Sequence, residues 1–542
     1  MADDSRLEYV NRPWRAGAQA RNVVEGLGRL MPHFDWQRLR DPWLVVAVAV
    51  ALVAVIALGV LAGGSMSLAI AATVCLAFIL IALKSPYVGL AIFLPSIAIL
   101  PWDGYIRGGL WVPALIRLAA PALLCGVLLR ALSTRMKRTF RLNVVDILAG
   151  ALGLFGLINL VGTGGIMFAK SYSKAMLFPL FFYFIARLLD WDRDGWRRLL
   201  RLQLIATAVC ALLIVVESVR GGSLLYRGSG GLGEIHGVRI AFGPFGAMWT
   251  AASFLCLWPP LFIYAAATAK RPWARASWLV GGVLTIMALT RTHERAMIGG
   301  AALALALCLL VPRLRKPLTL AGCVAVVVIV PVLILGSGPT WLIDRFRDPT
   351  KGYTRDAYNA GAISVLKSPD WNPILGVGYS QFGYYALRHT PPELLERAFG
   401  TSYQRLFERG YTPRQHNIAL TLLVEFGIVG TALFVAVLLG IGYHWLQCFR
   451  PPGCANVALV VAVLAMAVSA LFSACFHNLY IIAQATLYLW FFGGLIVGHK
   501  HLFRLPDGES GDDAHAASNT DGQSARRPTG VVARRRWRED RR

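Results

Sequence analysis

The chain has 542 residues, 56% of them hydrophobic and only 15% charged, and its formal net charge is +25. Soluble domains carry about 25% charged residues and disordered chains lack apolar residues, so both classes are excluded. What remains is one large membrane body, and the placement of the positive charge decides whether a nucleic acid must be invoked.

Pro42 to Leu83 contains no Asp, Glu, Lys or Arg. This stretch is long enough for two helical crossings at about 20 residues each, with Gly63-Gly64-Ser65 as the turn. The same reading along the chain yields fourteen apolar segments: 43–62, 66–83, 86–101, 112–130, 143–162, 175–189, 199–217, 241–268, 277–290, 296–311, 318–336, 417–446, 456–474 and 479–498. Backbone inside a bilayer must satisfy its own hydrogen bonds, so each segment is read as helix. The alternation of a membrane barrel is absent. The expected architecture is an all-α integral membrane protein: a polytopic bundle of about 12–14 transmembrane helices with one large periplasmic loop domain.

Short-loop charge sets the expected orientation. Arg130, Arg135, Lys137, Arg138 and Arg141 form one basic loop, and Arg187, Arg193, Arg197, Arg198 and Arg201 form a second. Lys270, Arg271 and Arg275 form a third, and Arg313, Arg315 and Lys316 a fourth. All four share one side if both termini are cytoplasmic, and the basic tails agree. The expected division is a cytoplasmic segment over 1–41, a bundle over 42–336, a periplasmic loop over 337–415, transmembrane helices over 416–498 and a disordered basic cytoplasmic tail over 499–542. The first apolar run begins only at Trp43, so no cleavable signal is expected. The basic tail either holds anionic lipid headgroups or simply aids solubility.

The nine cysteines are scattered, with no CxxC pair and none in the external segment, so they read as small buried hydrophobes. No internal repeat, Walker A motif, GxGxxG or HExxH is present. An ATP-driven pump and a zinc protease are therefore disfavoured.

The external segment, Ser337 to Gln415, is 79 residues long and holds thirteen aromatics, with ten Lys/Arg against seven Asp/Glu. Aromatic faces stack on sugars while cations and amides meet hydroxyls and phosphates, a mixture suited to a glycan on an anionic lipid. The alternative is a compact cap whose aromatics form its own core. Further arginines break the charge rule of the external face: Arg220, Arg227 and Arg239 in one loop, Arg291 and Arg295 flanking His293 and Glu294 in a short break. Boundary charges of this kind are functional candidates. Arginine suits a diphosphate because its planar fork binds two oxygens and stays charged. For Arg295 an ion pair with Glu294 or Glu425 is the structural alternative.

Two segments are more specific. One reads HNIALTLLVEFGIVG, from His416-Asn417 through Glu425 to Gly427 and Gly430. The other reads RDAYNAGAISVLKSPDWNPILGVGYSQF, from Arg355 through Gly376 and Gly378 to Phe382. Weaker pieces are RIAFGPFG at 239–246, THERAMIGG at 292–300 and FHNLY at 476–480. In order and in topology these pieces resemble the O-antigen ligase and polymerase family of bacterial envelope glycosyltransferases, over roughly Arg239 to Leu495. One departure is Glu294-Arg295-Ala296, where the family usually has Ser-Arg-small.

The resemblance implies transfer of a glycan from undecaprenyl diphosphate to an acceptor sugar hydroxyl, at the periplasmic face of the bacterial inner membrane. The acceptor is a glycan or the lipid A core, and membrane lipids are the other partners. It implies no cofactor, no metal and no nucleotide sugar. His416 is then the expected general base, since a histidine titrates near neutrality. Arg295 and Arg239 are expected to clamp the diphosphate, with Arg355, Arg291, Asn417 and His293 binding substrate. Glu425 takes a structural role, and Gly427 and Gly430 allow close helix approach; Gly376 and Gly378 form a turn. A polymerase with the same donor is the nearest alternative reading, and a lipid-linked oligosaccharide flippase the next. A flippase should concentrate charge at mid-membrane rather than at one face. Because the basic excess lies largely in topology-setting loops and tails, no nucleic acid is needed.

Overall fold

The computed structural model describes residues 66–99, 112–133, 142–163, 168, 172–221, 224, 232–235, 238–245, 247–336, 350–400, 402–408, 417–449, 456–476 and 483–504. The expected span 43–62, the segment 1–41, residues 505–542 of the C-terminal tail and His416 lie outside them. The tail expected to be disordered from residue 499 instead begins with a packed helical turn, Lys500–Phe503, because Leu502 and Phe503 are buried against the bundle. The described chain is helical apart from one two-stranded ribbon.

The helices in order are α1 (Met66–Lys84), α2 (Pro86–Ile99), α3 (Val112–Ser133), α4 (Val144–Gly162), α5 (Phe178–Leu188) and α6 (Arg193–Arg220). The ribbon follows, β1 (Leu232–Ile235) and β2 (Val238–Ala241). Then come α7 (Met248–Leu255), α8 (Pro259–Thr268), α9 (Pro272–Arg291), α10 (Arg295–Cys308) and α11 (Pro312–Gly336). Four helices precede the last three spans: α12 (Thr350–Leu366), α13 (Phe382–His389), α14 (Pro392–Phe399) and α15 (Tyr403–Glu408). The chain closes with α16 (Ile418–Gln447), α17 (Val457–Phe476) and α18 (Ala483–Gly498).

Among the described residues, six segments are long and apolar enough to cross a bilayer, namely α4, α6, the α7–α8 pair, α9, α16 and α17, and six further apolar stretches are shorter. Ile147, Leu154, Ile158 and Val161 on α4 and Ile428, Val435 and Leu439 on α16 are exposed. A water-soluble monomer rarely displays apolar faces of that extent, so the protein is a polytopic membrane protein.

The segment read as a single apolar run over 241–268 is broken in the structure. Pro259 and Pro260 supply no backbone N–H and end the incoming helix at Cys256–Trp258. The freed Cys256 carbonyl accepts a hydrogen bond from Ser469 Oγ of α17 at 3.0 Å. A small residue on α10 permits the close seam with the same helix: a Cβ on Gly300 would lie 2.7 Å from the Ser469 carbonyl.

Among the described residues, several basic side chains tie helix ends together. Arg130 donates to the carbonyl of Leu83 at 3.0 Å, Arg193 donates to that of His501 at 3.1 Å, and Lys500 donates to Gln447. The strongest tie is Asp146 with Arg187. The guanidinium donates from Nε to Oδ1 at 2.7 Å and from Nη2 to Oδ2 at 2.6 Å, and Tyr183 donates to Oδ1 at 2.7 Å. Asp146 also closes the capping box of α4 by accepting from the Asn143 backbone. Its side chain is fully buried. Asp146→Ala strands the arginine charge and is expected to cost about 3–5 kcal/mol. A lower melting temperature of the purified variant in detergent is the check.

Candidate functional site

Both specific sequence segments converge on a break inside α16. Gly427 has φ 63° and ψ −166°, a conformation no helix contains, and one that is essentially restricted to glycine. The break releases backbone groups of α16, and the segment between α12 and α13 takes them up. Val377 N donates to the Val424 carbonyl at 2.8 Å, and Gly378 N donates to that of Glu425 at 3.1 Å. Ile428 N donates in return to the Pro373 carbonyl at 2.8 Å. Trp371 Nε1 donates to the Leu423 carbonyl at 3.2 Å. The kink is thus satisfied as a membrane-embedded irregularity must be, by neighbouring protein.

The docking segment is shaped for close approach. Asn372 Oδ1 accepts from Ile374 N and Leu375 N, at 2.8 and 3.1 Å, and so turns the chain. Gly376 has φ 71°, and a Cβ there would lie 2.5 Å from the Val424 carbonyl oxygen. A Cβ on Gly427 would lie 2.6 Å from the carbonyl oxygens of both Pro373 and Ile374. Glu425, 2% exposed, accepts at Oε1 from Phe382 N at 3.3 Å, at the start of α13. The carboxylate therefore anchors the segment's exit as its backbone anchors the centre. Gly430 faces Phe155 of α4, where a Cβ would meet the ring at 2.6 Å. Gly427 and Gly430 accordingly serve different contacts, one with a loop backbone and one between helices.

The segment continues into a small apolar core. Ala362 and Val365 of α12, Val377, Phe382 and Ala386 pack with Val424 of α16. Arg355 lies on α12 upstream of that core. Asp370 accepts from His389 Nε2 at 2.9 Å, tying the end of α12 to α13.

Asn417 is the N-cap of α16: its Oδ1 accepts from Ala419 N at 3.0 Å and Leu420 N at 3.3 Å. Two of the helix's orphan amides are thereby satisfied. The Asn417 side-chain oxygen faces the helix end, and His416 directly precedes it in sequence.

A second group of site residues forms the turn between α9 and α10. His293 has φ 59°, and Thr292, His293 and Glu294 are all buried. Arg291 and Arg295, one on each side, are half-buried. The turn closes through His293 N to the Thr290 carbonyl at 3.2 Å. Glu294 is the N-cap of α10, so Arg295 stands at a helix N-terminus, where the dipole adds to its positive field.

Arg239 lies on β2, opposite Glu234 of β1. Its loop is tied down by Glu217, a residue the sequence reading passed over. Glu217 is fully buried at the end of α6. Its Oε1 accepts from Leu224 N at 2.8 Å and its Oε2 from Gly243 N at 3.0 Å, so one carboxylate fastens both sides of the loop. Asn159 of α4 was passed over as well. The available signal in both cases was a lone polar residue inside an apolar run. Among the described residues, no three His, Cys, Asp or Glu side chains converge as a metal-ligand set.

Residues 280–435 match the family model described as O-antigen ligase. The match begins within α9 and ends within α16, so it contains the Arg291–Arg295 turn, the docking segment and the kink. No curated protein matches the chain.

Proposed function

We propose, from a chain whose residues 280–435 carry an O-antigen ligase domain, that this membrane glycosyltransferase moves a glycan from undecaprenyl diphosphate to an acceptor sugar hydroxyl. The domain supports a role in O-antigen or surface polysaccharide synthesis. The finer chemistry is our reading. The observation that supports it best is the interlock at Gly427, which joins the two motif segments into one rigid piece below the capped start of α16.

In this mechanism His416 accepts the proton of the acceptor hydroxyl. The hydroxyl oxygen forms a bond to the anomeric carbon, whose bond to the phosphate oxygen breaks. The diphosphate leaves with the electron pair. Arg295 and Arg239, with Arg291 and Arg355, neutralise the charge that develops there, and Asn417 and His293 hold substrate. The chemistry requires no metal, because arginine forks supply the counter-charge. We assign this end of the bundle to the periplasmic side, residues 337–415 to a periplasmic segment, and the basic end with both termini to the cytoplasm of a bacterial inner membrane.

The deciding experiment supplies purified protein in detergent with undecaprenyl-diphosphate-linked glycan and an acceptor. Transfer without any membrane potential supports the reading; transport without transfer overturns it in favour of a flippase. The glycan profile of a deletion strain separates the two enzymes. Accumulated lipid-linked polymer identifies a ligase, whereas a single attached repeat identifies a polymerase. Arg295→Lys keeps the charge but loses the fork, and we expect it to lose most of the transfer rate. Normal transfer by that variant moves the clamp to Arg291 or Arg239.

A further inference from the structure

Asn159 lies on α4, outside the matched domain, and is fully buried. Its carboxamide makes three hydrogen bonds to two other parts of the chain. Nδ2 donates to the Leu375 carbonyl and, at 3.0 Å, to the Glu425 carbonyl; Oδ1 accepts from Tyr379 N at 3.0 Å. Both amide hydrogens are therefore used, and so is the oxygen. One donor goes to the docking segment, the other to the last residue but one before the Gly427 break.

Gln381 extends the same seam, donating from Nε2 to the Thr163 carbonyl just past the end of α4 at 3.1 Å. A Cβ on Gly378 would lie 2.3 Å from Thr163 Oγ1, so backbone and helix end are in direct apposition. The surroundings are tight: Tyr172 and Tyr379 meet edge to face at 5.4 Å, and Tyr379 meets Phe426 at 5.9 Å.

Few side chains fit this place. The position must offer two donors to two carbonyls and one acceptor to an amide, within a short reach from α4. Aspartate has the same shape but only acceptors when ionised, so it would face two carbonyl oxygens with like partial charge. Alanine leaves all three backbone groups without the carboxamide, in a place where water is scarce.

We propose that Asn159 is a positioning residue for glycan transfer: it fixes the register between the docking segment and the kinked α16, and thereby the aim of the helix start that follows His416. This rests on the reading of that helix start as the reacting end. The coupling would make the membrane bundle outside the matched domain part of the catalytic geometry. Misplacement by about 1 Å far from the reacting atoms costs on the order of 100-fold in rate.

The test compares wild type with Asn159→Asp and Asn159→Ala, purified to monodispersity. The readouts are kcat, KM for the lipid-linked donor, melting temperature, and hydrogen exchange at Val377, Gly378, Tyr379 and Ile428. We expect kcat to fall on the order of 100-fold with KM little changed, and exchange to rise at these amides but not in α6 or α9. For Asn159→Asp the rate relative to wild type at the same pH should recover partly as pH falls, because a protonated carboxyl regains one donor. Wild-type kcat alongside faster exchange overturns the positioning role. Unchanged exchange overturns the coupling itself, and a loss of protection throughout the bundle overturns it in favour of a general stability role. If one variant fails to fold, the other is judged by the same readouts. A wild-type protein that transfers nothing overturns the functional reading instead. Exchange then decides Asn159 alone, with local loss of protection supporting the coupling.

Discussion

Replacing His416 with alanine is expected to reduce glycan transfer by about 10²–10⁴-fold, the contribution of a positioned general base. The substitution removes the proton acceptor but leaves the helix start intact, because Asn417 is the cap and its bonds to Ala419 N and Leu420 N do not involve residue 416. The melting temperature should therefore stay near that of wild type. The wild-type rate should also fall as pH drops below about 6.5, the ordinary histidine value, since a protonated imidazole accepts no proton. An alanine variant that transfers at the wild-type rate rules His416 out as the base and leaves the arginine assignments to be tested separately.

The second large effect belongs to Gly427. Alanine there must either hold a glycine-only conformation, at about 1–3 kcal/mol, or move its Cβ away from the two carbonyl oxygens that would lie 2.6 Å from it. Both routes undo the bond from Ile428 N to the Pro373 carbonyl. We expect Gly427→Ala to release the docking segment and abolish transfer, with exchange rising first at Ile428, Val377 and Gly378. Gly376→Ala attacks the same contact from the opposite chain, where a Cβ would lie 2.5 Å from Val424 O. The two substitutions should therefore be far from additive, as expected for residues sharing one interface. Additive effects, or a Gly427→Ala protein with normal exchange and transfer, would sink the interlock.

The sites differ in how much of each was legible from residues alone. Gly427 and Gly376 stand out by their motifs, but the motifs say nothing of their meeting. A glycine in an apolar helix reads as a place for close helix packing, and Gly430 against Phe155 is that case. Gly427 is not, because its left-handed φ exists only once a second chain segment takes up the backbone groups it frees. Glu425 gives an acidic flag inside an apolar run; its bond to Phe382 N depends on where a separate helix begins. Glu217 and Asn159 carry the same kind of flag, and their partners lie in other loops and segments.

By itself the sequence determined the membrane body and the approximate ends of most described helices. A bilayer admits few solutions, and a run of apolar residues must become a helix whatever its neighbours do. It also sets the expectation that the basic loops share one side, since charge counts are local. Only the tertiary structure decided that the 241–268 run breaks at its prolines, that α16 kinks at Gly427, and that Asn159 joins the two motif segments. These are contacts between distant parts of the chain. Each is stable only because one segment supplies the donors or acceptors that another has lost, and no single stretch of sequence contains both halves.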